Sequence, residues 1–157
     1  MKIMLPSRRH LLGGLAALAG AAAPLARSAS PAPAGDDMPH KIVYQVNQAD
    51  EHYQEAILNS VGALLGKYPD EISIVVVAWG PGIHLLAKQP KRPVPKLLQD
   101  RVKSMATSYG VRFIACGNTM QTIGWEASDM LDVVQVKDVG AAAVMELQQK
   151  GYAYLAW

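Results

Sequence analysis

The chain of 157 residues carries one cysteine, Cys116, and it is followed at once by Gly117, Asn118 and Thr119. The apolar run before it, residues 111–115 (VRFIA), reads as a strand, so the thiol stands where a strand gives way to the start of a helix. Free N–H groups and the positive dipole end at such a place favour a thiolate over a thiol. The thiolate is the nucleophile, so the chemistry offered is attack by sulfur on an electrophile, with Gly117, Asn118 and Thr119 supplying donors to the anion. A buried core residue finishing a strand fits the same pattern, since free cysteine is among the most buried residue types. The residues leave both readings open.

Other side chains could share in such a site. Gly80-Pro81-Gly82 can form an anion-binding nest after a central strand, although a turn is needed there in any case. Asn47 follows the first strand at the same end. His84, one turn further on, could polarise Cys116 or a bound oxyanion if the loops converge. His40, His52 and His84 have no short metal-ligand spacing, so no metal site is expected. Asp50 and Glu51 fit the start of a helix better than an acid–base pair. There is no phosphate-binding loop of the GxxxxGK type and no Gly-x-Ser-x-Gly elbow, and the pattern calls for no cofactor. Trp79, Trp125 and Trp157 could line a crevice or an oligomer contact, but ordinary aromatic burial also accounts for them.

The elements that must hold these residues alternate along the chain. Residues 41–46 (KIVYQV) predict a strand, and Asp50 caps a helix with Ala56, Ile57, Val61, Leu64 and Leu65 at helical spacing. Residues 72–79 (ISIVVVAW) are apolar without alternation, as in a parallel strand covered on both faces. A short helix over 83–87, a proline-rich loop and a helix over 96–109 follow, the last placing Leu97, Leu98, Val102 and Met105 on one face. After the 111–115 strand, a helix interrupted at Gly124-Trp125 is expected over 120–131. A strand over 133–137, a helix over 141–150 and a short strand over 152–157 close the chain. Such β-α alternation predicts an α/β fold, a three-layer α/β/α sandwich with a mostly parallel sheet of about five strands. Ligands of open parallel sheets gather beyond the carboxyl ends of the strands, where Asn47, Gly80 and Cys116 all fall.

Composition bounds the rest. Half of the residues are apolar, enough for a single buried core. The net charge is +2, yet Lys2, Arg8, Arg9 and Arg27 all precede Gly35. Beyond them stand eleven Lys and Arg against thirteen Asp and Glu, a net −2. With no basic stripe and interleaved aromatics, nucleic acid is not an expected partner. Ser7-Arg8-Arg9-His10-Leu11-Leu12 ahead of an Ala-rich run resembles a twin-arginine signal peptide, with cleavage candidates after Ser28 and Ala34. Residues 1–34 are therefore read as signal and leader and 35–40 as a linker, with one domain over 41–157. The location expected is periplasmic, with membrane contact only during export, since the apolar run is too short to stay as an anchor.

Several separate segments resemble one family. Gly110-Val111-Arg112-Phe113-Ile114-Ala115-Cys116-Gly117-Asn118-Thr119, with Gly124 shortly after, is similar to the strand–cysteine segment of the DsrE/DsrF-like proteins. Residues 41–47, 76–82 and 150–154 resemble the exported single-domain members, so the likeness spans residues 41–157. It implies that Cys116 accepts sulfur as a persulfide, and that the partner is a sulfur donor or acceptor protein or a small sulfur compound. It also implies a homo-oligomer, a trimer or hexamer. The alternative is a non-catalytic module for a small ligand or for assembly, in which Cys116 is structural.

Overall fold

The computed structural model describes residues 35–157 of the chain, so the expected leader lies outside the described residues. Strands β1 (His40–Val46), β2 (Ile72–Ala78), β3 (Arg112–Cys116), β4 (Val134–Lys137) and β5 (Ala153–Leu155) form one sheet in the order β4-β3-β2-β1-β5. Every strand pairing is parallel. The expected α/β sandwich is therefore present, with a sheet that is wholly parallel.

The helices are α1 (Glu51–Lys67), α2 (Lys96–Tyr109), α3 (Gly117–Thr122) and α4 (Gly140–Gln149), with 3-10 turns at Gly80–Leu86 and Ala127–Asp129. Helix α1 begins where the Asp50 carboxylate accepts the Tyr53 N–H at 2.8 Å, and it buries Gln54, Ile57, Leu58 and Val61 at the spacing of one helical face. Helix α2 ends at Gly110, whose φ of 68° suits the left-handed cap, and it buries Leu98, Val102 and Met105. Leu97, expected on that face, is instead exposed. A strip of three residues spaced by four and three is all that this helix needs to seat itself.

All seven residues of β2 are buried, because helices cover both faces of the sheet. The two cores are unequal. The larger joins Tyr44, Val46, Ile74, Val76 and Phe113 to α1, α2 and the 80–86 turn. The smaller sets Val43, Val75, Val77 and Ile114 against Ala143, Val144 and Leu147 of α4, with Tyr152 at its edge. Helix α4, the one helix on that face among the described residues, packs on β3, β2 and β1 on its way back to β5.

Asp36, within the stretch read as a linker, is held to the domain. Its carboxylate accepts from Arg112 at 3.0 Å, Lys150 at 2.9 Å and the Tyr152 hydroxyl at 2.8 Å. The Lys150 and Tyr152 bonds, with Arg112 beside them, hold the carboxyl far below its ordinary 3.8. A depressed carboxyl stabilises the fold above its unfolded value and loses that contribution as pH falls below about 3.8. Asp36→Asn is expected to lower Tm by a few degrees at neutral pH, the group being partly exposed, and by progressively less as pH falls below about 3.8. Thermal melts of both forms across pH 2 to 7 check this; a Tm difference of the same size at pH 2 as at pH 7 would mean that the bonds are not the cause.

Candidate thiol site

Cys116 is the last residue of β3 and the residue before the first turn of α3. Strand alternation puts it on the same face as Ile114, under α4. It is 5% exposed. Across the sheet it pairs in register with Lys137 at the end of β4, and three residues further on the chain turns into α4. The Gly140 N–H, first in α4, donates to Cys116 Sγ at 3.2 Å.

Gly140 can do this because it has no side chain. A Cβ placed there would lie 3.0 Å from Cys116 Cβ and 3.0 Å from Trp79 Cε3. The β3–α3 and β4–α4 connections are also pressed together: the Asn118 N–H donates to the Asp138 carbonyl at 2.8 Å, and a Cβ on Gly117 would sit 3.2 Å from Asp138 Cα. Gly117 and Asn118 thus serve chiefly to dock one loop on the other. The Thr119 oxygen accepts the Gly80 N–H at 3.0 Å, which ties the turn after β2 to the same place and leaves the hydroxyl hydrogen for the sulfur.

Burial pushes the Cys116 thiol up, but the N–H of Thr119, the N–H of Gly140 and the Thr119 hydroxyl together outweigh it and leave the thiol below its ordinary value. These donors favour the sulfur anion over the neutral thiol.

Of the remaining expected residues, Gly80 reaches the site only through Thr119, and the others have different contacts. The φ of 51° at Gly80 belongs to the left-handed region, and a Cβ there would come within 3.8 Å of the Asn47 carbonyl. Gly82 is pressed against the end of β1, so its role is backbone approach. Asn47 is engaged with Tyr53, whose hydroxyl donates to Asn47 Oδ1 at 3.0 Å. Asn47, Pro81 and Arg92 border a cavity of about 480 Å³ that does not include Cys116. His84 is buried, accepts the Lys91 N–H on Nδ1 at 3.2 Å and meets the Trp125 ring edge-on at 5.0 Å. Burial pushes the imidazole down, with the Arg92 and Lys91 charges adding to the effect. Its contacts are therefore those of a neutral core histidine. Among the described residues no three His, Cys, Asp or Glu side chains are grouped to hold a metal ion, and no helix is long and apolar enough to cross a membrane.

Gly140 escaped sequence reasoning. The available signal was a glycine opening a helix directly after a strand, but nothing local says that β4 lies beside β3. The short helix expected over 120–131 also starts earlier, at Gly117, and stops at Thr122, with Gly124 at φ 70° just beyond it.

A small all-parallel α/β domain with a single thiol at the carboxyl end of an inner strand defines the class. The family model described as "DsrE/DsrF-like family" matches residues 38–157, and the chain belongs to that family. Among solved structures, a protein of unknown function from Methanobacterium thermoautotrophicum superimposes with a TM-score of 0.67 at 25% identity, covering 75% of this chain and 99% of that one. The ychN protein from E. coli gives a TM-score of 0.61 at 13% identity with the same coverage, a likeness of fold alone. No curated protein matches the chain.

Proposed function

We propose that the protein handles sulfane sulfur through Cys116. The observation that carries this reading is the thiol between two chain connections, with the Gly140 N–H on its sulfur at 3.2 Å, in a chain whose family is associated with sulfur relay. The Cys116 thiolate attacks the outer sulfur of a persulfide or polysulfide donor. The new Cys116 S–S bond forms as the donor's S–S bond breaks, and the bonding pair leaves with the rest of the donor, a thiolate from a persulfide or a polysulfide one sulfur shorter. Transfer to an acceptor thiolate repeats the exchange in the other direction, so no outside oxidant or reductant is consumed. Arg8 and Arg9 ahead of the apolar run support export through the twin-arginine route, and a trimer or hexamer is part of the same proposal.

Polysulfide treatment followed by intact-mass measurement is expected to add about 32 Da, one sulfur atom, to the wild type and nothing to Cys116→Ser. No adduct on the wild type, where a control thiol reacts, would overturn the reading. The 5% exposure of Cys116 favours a second reading, in which the thiol is structural and the domain binds or assembles. A thiol reagent that labels the native protein no faster than a buried control, and labels fully only after denaturation, would select it.

A further inference from the structure

We infer that Gly140 is a positioning residue for Cys116: its missing side chain lets the start of α4 close on the sulfur, and its N–H holds the anionic form of the thiol. The inference concerns the thiol that the sulfur reading uses, but it stands or falls on the thiol's ionisation alone.

The geometry has three parts. The donor is the first N–H of a ten-residue helix, one of those that no carbonyl inside the helix can satisfy. It reaches Sγ at 3.2 Å. The space a Cβ would need is already filled on two sides, by Cys116 Cβ and by Trp79 Cε3, both 3.0 Å from its position. Any side chain at 140 must therefore push α4 off the thiol or displace the Trp79 ring. The charged neighbours are Lys137, the register partner of Cys116 on β4, and Asp138, whose backbone packs on Gly117. The other polar groups that face the sulfur come from α3, the Thr119 hydroxyl and N–H and the Asn118 N–H, and Trp79 from the end of β2 brings no charge. Lys137 and Asp138 are retained in every variant below, so their effect on the thiol is common to all.

Two substitutions test this against the wild type. Gly140→Ala places a Cβ against Cys116 Cβ and Trp79 Cε3 and draws the N–H back from the sulfur. Gly140→Pro removes the N–H outright, with the ring Cδ in place of the hydrogen, at a first helical position that needs no N–H bond within the helix. The probe is the rate of iodoacetamide alkylation of the full chain across about pH 5 to 10, which follows the thiolate fraction. Relative to the wild type, both variants are expected to raise the thiol pKa, Gly140→Pro by about one unit, with the rate at pH 7 cut about tenfold. A folded variant whose pH profile coincides with that of the wild type would overturn the inference.

A measurement without substitution stands beside this, should either variant fail to fold. In the 15N-labelled wild type, the Gly140 amide resonance is expected to move downfield with the thiol ionisation measured by alkylation, and to stay still in Cys116→Ser. An amide that does not follow the thiol would equally overturn it. Neither experiment contains a sulfur donor. Failure of persulfide formation with both results intact would remove the sulfur reading and leave the role of Gly140 standing.

Discussion

Gly82→Ala is expected to cost about 3 kcal/mol or more and to leave the protein largely unfolded at ordinary temperatures. A Cβ at this position would lie 2.5 Å from the Val46 carbonyl carbon and 2.8 Å from the Asn47 nitrogen, well inside van der Waals contact. Those atoms are backbone at the end of β1, a strand paired on both sides, so no rotamer change can relieve the overlap. Only separation of β1 from the 80–82 turn would do so. That movement would carry Gly80 with it and break its N–H bond to Thr119. Thermal unfolding of the variant, followed by circular dichroism, tests this. Gly66→Ala is the control with the opposite sign: it has nothing within 4 Å, it sits inside α1, and alanine there should stabilise by up to about 1 kcal/mol. An unchanged Tm for Gly82→Ala would mean that the close approach is not a constraint on the fold.

Phe113→Ala is expected to cost about 3–5 kcal/mol, the range for removing a fully buried aromatic ring. Phe113 is the chain's one phenylalanine and is 0% exposed, in the larger core. Its neighbours in register are Val76 on β2 and Val134 on β4, both branched at Cβ and fixed by the sheet, so the void has little with which to collapse. Urea denaturation should show a lower midpoint with an unchanged m-value. Because β3 carries Cys116 three residues later, alkylation of the thiol in the native state should also quicken as local opening becomes more frequent. A loss below about 1 kcal/mol would show that the core refills the site.

The order of strands and helices was legible because each element carries its own local signal. The unbroken ISIVVVA of β2, rich in β-branched residues and without alternation, reads as a strand covered on both faces. Asp50 and Gly110 marked helix ends through side-chain capping and a left-handed φ, which are local matters. The position of Cys116 at a strand end was legible for the same reason. What was not legible is everything that depends on which strands are neighbours. Gly140 reaches the sulfur across a sequence gap of 24 residues, through the pairing of β3 with β4. Whether His84 could serve the thiol depends on how the loops converge, which no local signal tells; its contacts are with Lys91 and Trp125. The 80–86 segment was expected to become helical only at Ile83; it winds as a 3-10 turn from Gly80, held by the approach of Gly82 to β1. Sequence allows Gly82 either an anion nest or a plain turn, and its close approach to the end of β1 depends on a packing that no local signal reveals.

The anchoring of Asp36 has a use in handling the molecule. Arg112, which grips it, begins β3, and Cys116 ends the same strand. Four strand rises, roughly 13 Å, separate the two Cα positions. The chain thus enters the described domain at one end of the sheet and offers its sulfur at the other. An affinity tag, bead or surface joined ahead of Gly35 leaves the thiol end turned outward, toward whatever approaches from solution.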